Sequence, residues 1–167
     1  MEPSIRVRFS IDPQFKNIYN VCVEIRTDKS KKLVMVSGGF DPIHVGHLQM
    51  FEEAKALGDE LVVVINCDAW LSRKKGKPFM SSEDRAKIIH AFECVDHVYV
   101  LESDRHDVGE ALGLIRPDVF ANGGDRFADN IPELQICQEL GIEMVFNVGK
   151  DGKLRSSSEL LKNYHTI

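Results

Sequence analysis

Ser37-Gly38-Gly39-Phe40-Asp41-Pro42-Ile43-His44-Val45-Gly46-His47 joins two stretches of different period. Residues 33–37 run into it as four apolar residues closed by Ser37, a strand pattern suited to cover on both faces. Beyond it, Leu48, Phe51, Ala54 and Leu57 recur every third residue and lay one apolar stripe along a helix over residues 45–57. A strand that enters a Gly/Pro turn and leaves as a helix begins a βαβ unit.

The same alternation continues downstream. Further strands are predicted over 60–66, 97–101, 118–121 and 143–148, and helices over 82–93, 107–115, 132–140 and 157–163. Gly58 and Gly141 stand where helices should stop, and Pro132 suits a first helical turn. The pattern predicts an α/β fold, a Rossmann-like doubly wound parallel five-stranded sheet with right-handed crossovers. Residues 1–31 differ. Ile5, Val7, Phe9 and Ile11 alternate with polar residues, as do Tyr19, Val21, Val23 and Ile25, around Asp12-Pro13. Two period-2 runs predict an added N-terminal β-hairpin over 1–31, ahead of the main domain at 32–167.

Composition narrows the function classes. Of 167 residues, 43% are hydrophobic and 28% charged, the mix of a soluble globular domain. The longest strongly apolar run, Leu61-Val62-Val63-Val64-Ile65, falls far short of the ~20 residues that cross a bilayer. The chain opens on Met1-Glu2-Pro3-Ser4-Ile5-Arg6 with no basic-then-apolar leader, so a cytoplasmic location and no membrane partner are expected. Net charge is 21 − 26 = −5, which argues against a nucleic-acid partner. Cys22, Cys67, Cys94 and Cys137 are too scattered for a zinc site or a disulfide framework and read as reduced thiols.

In an open parallel sheet, ligands bind beyond the carboxyl ends of the strands. The quoted turn sits there. Gly38 and Gly39 allow close backbone approach, Phe40 and Asp41 lead into Pro42, and His44 and His47 share a helix face with Gly46 between them. Helix N–H groups beside two imidazoles make an anion site; surface or metal-binding histidines are the alternative. Arg73-Lys74-Lys75-Gly76-Lys77-Pro78 places four cations within five residues of a Gly/Pro loop, a clamp for polyphosphate or a solvated charge run. Ser81 with Asp84 marks a helix start ahead of Arg85, and Ser156 with Glu159 marks another. Ser157 and Ser158 add hydroxyls to that second helix tip, making a second phosphate cradle that faces the first across the sheet crevice.

Gly39-Phe40-Asp41-Pro42-Ile43-His44-Val45-Gly46-His47 resembles the H-x-G-H signature of the cytidylyltransferase-like nucleotidyltransferase superfamily. The likeness extends from Leu33 to the C-terminus. Ala91-Phe92-Glu93-Cys94-Val95-Asp96 and Gly123-Gly124-Asp125 are similar to the adenylyltransferase domain of ADP-heptose synthase, though Asn122 replaces the lysine before the glycines. Glycerol-3-phosphate cytidylyltransferases are the other similar branch. The kinase domain often fused to heptose adenylyltransferases has no counterpart in the sequence.

The resemblance implies His44, His47 and Lys74 as catalytic residues. It implies nucleotide contacts from Gly38, Gly39, Phe40, Asp41, Gly46, Asp125, Ser156, Ser157 and Ser158, and acceptor contacts from Asp68, Lys77 and Arg85. For Arg85 a surface ion pair is the alternative, and for Asp68 a helix cap. The expected reaction transfers a nucleoside monophosphate from a nucleoside triphosphate, ATP before CTP, to a sugar or polyol phosphate and releases pyrophosphate. Mg²⁺ is expected with the triphosphate, held by no set of protein ligands alone, and a homodimer is expected from the resemblance. Cytidylyl transfer to a glycerol-3-phosphate-like acceptor is one alternative. A non-catalytic nucleotide sensor or scaffold, which would bind nucleotide without releasing pyrophosphate, is another.

Overall fold

The computed structural model describes residues 28–102, 108–123, 132–149 and 157–164. Residues 1–27, which hold nearly all of the expected hairpin, lie outside the described residues, as do Asp125 and Ser156. The elements run β1 (Leu33–Gly38), α1 (Val45–Lys55), β2 (Glu60–Asn66), α2 (Asp68–Lys75), α3 (Ser82–His90), β3 (His97–Leu101), α4 (Gly109–Ile115), β4 (Val119–Gly123), α5 (Leu134–Leu140), β5 (Glu143–Val148) and α6 (Ser157–Tyr164).

All five strands are parallel, in the order β3-β2-β1-β4-β5. Helices on both faces split the core into two layers. Val34, Val36, Val63 and Ile65 pack with Phe51 and Ala54 of α1 and with Ala86 and Ile89 of α3. Leu33, Met35, Val62, Val64 and Phe120 pack on the other face with Ala111 and Leu112 of α4 and with Cys137 of α5. Burying Phe51 alone contributes about 2–3 kcal/mol. No described helix is long and apolar enough to cross a membrane. Cys67, Cys94 and Cys137 are free thiols.

The amino edge of the sheet is tied down by carboxylates. Asp59 Oδ2 accepts from Lys32 N at 2.7 Å, Asp96 Oδ2 from Leu61 N at 2.7 Å and Asp118 Oδ2 from Leu33 N at 2.8 Å. Gly58 belongs to the same edge. It follows α1, but a Cβ there would stand 2.6 Å from Lys32 O and 2.7 Å from Val34 Cγ2, so close approach of the chain requires the glycine.

One element departs from the sequence reading. Residues 73–75, expected in a loop, form the last turn of α2, and the break comes at Gly76. A single buried residue, Leu71, anchors that helix. Asp68 in its first turn and Arg73, Lys74 and Lys75 in its last complement the helix dipole.

Candidate functional site

The strand order reverses at β1 and β4, whose carboxyl ends open the crevice where such sheets bind ligands. The turn after β1 crosses that crevice. Its last residue, His44, is extended and caps α1, which brings His47 one turn later beneath it. The two rings stack with centroids 3.8 Å apart and planes 19° from parallel. His44 N donates to His47 Nδ1 at 3.4 Å, which leaves the neutral ring's proton on Nε2. Phe40 meets the His47 ring edge-on at 5.1 Å and meets Phe51 at the same separation. Burial, then the His44 ring, then Lys75 push the His47 pKa down to about 3, so His47 is an uncharged N–H donor at neutral pH.

The turn is fastened from behind. Arg85 is 0% exposed. Its Nη1 donates to Gly39 O at 2.7 Å and to Asn66 O at 2.9 Å, its Nε to Met80 O at 3.3 Å, and its Nη2 to Asp68 Oδ1 at 2.6 Å. Asp41 is 2% exposed, and its two oxygens accept from Phe79 N and Met80 N, each at 2.8 Å. The two residues thus cross-link the turn after β1, the end of β2 and the segment before α3. The ion pair of Arg85 is buried on the arginine side rather than lying on the surface. Asp68 is in the first turn of α2 and Cys67 is its cap.

Space beside the two glycines is taken by the protein itself. A Cβ on Gly38 would meet the Phe40 ring at 2.9 Å, and one on Gly39 would meet Leu71 Cδ2 at 2.9 Å. Gly46 lies in the first turn of α1 between the imidazoles. Among the cations, Lys74 Nζ stands 4.5 Å from the Trp70 ring centroid, whereas Lys75 Nζ donates to Asp41 O at 3.3 Å and adds positive charge near His47. Lys77 is exposed beyond the end of α2. The sequence names Lys74 or its neighbours for phosphate contact, and the neighbour Lys75 stands at the histidine corner.

Ser157, at the start of α6, donates from Oγ to Pro42 O at 3.0 Å. This bond joins residues 115 apart in sequence and brings the α6 tip against the turn that holds the histidines. Ser158 is exposed on the same tip. Peptide N–H groups at one helix tip, imidazole N–H groups at another and Lys75 beside them can together neutralise a chain of phosphates.

Residues 35–162 match the family model described as cytidylyltransferase-like. The chain belongs to that family. Its members are nucleotidyltransferases, the enzyme class to which the twin-histidine motif pointed. Over 148 residues the chain is 32% identical to the bifunctional protein HldE of Pelobacter propionicus, covering 85% of this chain and 30% of that one. Over 131 residues it is 39% identical to HldE of Streptomyces coelicolor, covering 77% and 27%. The chain thus spans less than a third of the length of these two relatives. A lipopolysaccharide core biosynthesis protein from Thermoplasma volcanium superposes with TM-score 0.59 at 28% identity, covering 70% of this chain and 96% of that one. A pantoate–beta-alanine ligase from Francisella tularensis, TM-score 0.53 at 14% identity over 74% of this chain and 62% of that one, shares the fold.

Proposed function

We propose that the protein transfers a nucleoside monophosphate from a nucleoside triphosphate to a sugar or polyol phosphate, with ATP as the preferred donor. The observation that carries this reading is the contact between Ser157 and Pro42, which sets the α6 tip beside the stacked imidazoles. A phosphate oxygen of the acceptor attacks the α-phosphorus in line. The bond to the bridging oxygen breaks, and pyrophosphate leaves with the bond's electron pair. An ionised phosphate is already a nucleophile, so no protein base is required. His44, His47, Lys75 and the α6 tip position the triphosphate and neutralise charge building on the leaving oxygen.

Among the described residues no three His, Cys, Asp or Glu side chains gather into a metal centre. The donor set fits Mg²⁺ arriving on the phosphate oxygens, as part of the nucleotide substrate. Bound there, the cation spreads the negative charge of the phosphates. The preference for ATP rests on the likeness of residues 91–96 and 123–125 to the adenylyltransferase domain of ADP-heptose synthase. The sugar-phosphate acceptor is supported by the likeness to a lipopolysaccharide core biosynthesis protein.

The test is pyrophosphate release with ATP, CTP, GTP and UTP crossed with hexose-1-phosphates and polyol phosphates. Release that requires both ATP and a sugar or polyol phosphate is expected. Saturable nucleotide binding without release for any pair would favour a nucleotide sensor instead.

A further inference from the structure

The same sheet edge carries a second lining, on the face turned away from the histidines. Side chains alternate along a strand, and the core fixes which way each one faces. Met35, Val64 and Phe120 pack into the layer under α4 and α5, so Ser37, Asn66 and Asn122, each two residues further on, turn toward that layer. Their neighbours confirm the parity: a Cβ on Gly38 would strike Phe40 and one on Gly123 would strike Met50 of α1, both on the opposite face. Three adjacent strands, β2, β1 and β4, therefore end in a row of uncharged polar side chains.

These groups are enclosed but poorly satisfied. Asn66 is 7% exposed and Asn122 3%, while Ser37 is half-buried. Among the described residues the Asn66 amide and the Ser37 hydroxyl make no hydrogen bond, and the Asn122 amide reaches only Phe120 O of its own strand, at 3.4 Å. Glu133 adds to the row. It caps α5, while Val108 caps α4; both helices follow strand ends, so both caps sit at the carboxyl edge. Glu133 Oε1 accepts from Val108 N at 3.2 Å, and the buried Oε2 has no partner. Of this row, Glu133 Oε2 is the atom that is fully buried without a partner among the described residues, and a ligand hydroxyl would supply one.

We infer that Ser37, Asn66, Asn122 and Glu133 form the acceptor subsite and that they recognise its hydroxyl groups rather than its phosphate. This rests on the nucleotidyl-transfer reading above. Amides and a hydroxyl supply donors and acceptors without charge, and a carboxylate accepts from hydroxyls but repels phosphate. Among the described residues, Lys75 lies on the histidine side of the crevice, where the phosphates would go. The subsite thus selects a hydroxyl-rich acceptor and orients it with its phosphate toward the histidines.

The test measures equilibrium binding of a hexose-1-phosphate and of its deoxy analogue to the full chain, with a non-hydrolysable ATP analogue present, alongside pyrophosphate release with ATP. Variants are Asn66→Ala, Asn122→Ala and the milder Ser37→Ala, each checked for a wild-type circular dichroism spectrum. Binding of the full hexose phosphate should weaken about tenfold in at least one folded variant, the scale of losing a hydroxyl's partner. The deoxy analogue should be less affected, and affinity for the ATP analogue should stay within about twofold. Unchanged acceptor binding in all folded variants, or no binding of either probe by the wild type, overturns the subsite. Acceptor binding that responds to the variants while no pyrophosphate appears supports the subsite and overturns the transfer reaction instead.

Discussion

Burial holds His47 uncharged, with a pKa near 3 against 6.5 for an ordinary histidine. The sign of its pH effect follows. Between those values the unfolded chain takes up a proton that the native ring refuses, so this residue's contribution to stability falls as pH drops below 6.5. Replacement by Gln should flatten the acid side of the stability curve, read from urea midpoints between pH 4 and pH 7. His44→Ala and His47→Ala should each lower turnover at least ~10²-fold, the usual loss for a preorganised donor, measured by pyrophosphate release. Arg85 acts through the backbone it holds. Arg85→Met strands the carbonyls of Gly39, Asn66 and Met80 and should cost about 3 kcal/mol, measured by urea unfolding. Legibility at this scale was uneven. The histidine pair announces itself by spacing, whereas Arg85 read only as an acceptor contact or a surface ion pair. That its guanidinium would be occupied by backbone carbonyls could not be read, because those acceptors come from segments up to 46 residues away.

At the scale of the elements, α2 is the instructive failure. Ser72-Arg73-Lys74-Lys75-Gly76-Lys77-Pro78 carries no apolar period, and helices are read mainly from that period. What holds the helix is one buried leucine together with acid at its start and base at its end, a weaker local signal. Leu71→Ala should therefore cost about 2–5 kcal/mol in denaturant unfolding. It should also loosen Gly39, whose open side Leu71 fills, and raise the nucleotide KM. Ser157→Ala removes the bond from α6 to Pro42 and should cost only about 1 kcal/mol. If the α6 tip holds the phosphates, the same variant raises the nucleotide KM well beyond what that loss of stability explains. β2, β3 and β5 fall where their apolar runs predicted, because a strand covered on both faces needs an unbroken run.

Across the whole molecule, alternating strands and helices declared a parallel doubly wound sheet, but the order β3-β2-β1-β4-β5 was not readable. Order depends on which way each crossover turns, and residue periodicity carries no such information. The meeting of the β1 turn with α6 was expected from the two phosphate cradles alone, whereas the row of Ser37, Asn66 and Asn122 across three adjacent strands was hidden with the order. With its acidic edge tied by Asp59, Asp96 and Asp118, the sheet leaves its carboxyl edge as the working one. The account's central claim is that an acceptor phosphate attacks the α-phosphorus of a nucleotide held at that edge. A heavy-oxygen label in the acceptor phosphate, followed by phosphorus NMR, tests it directly. The label should appear in the acceptor-derived phosphate and its new bridge to the nucleotide, with unlabelled pyrophosphate released. Label in free phosphate or pyrophosphate, or no transfer to any acceptor, would contradict the account.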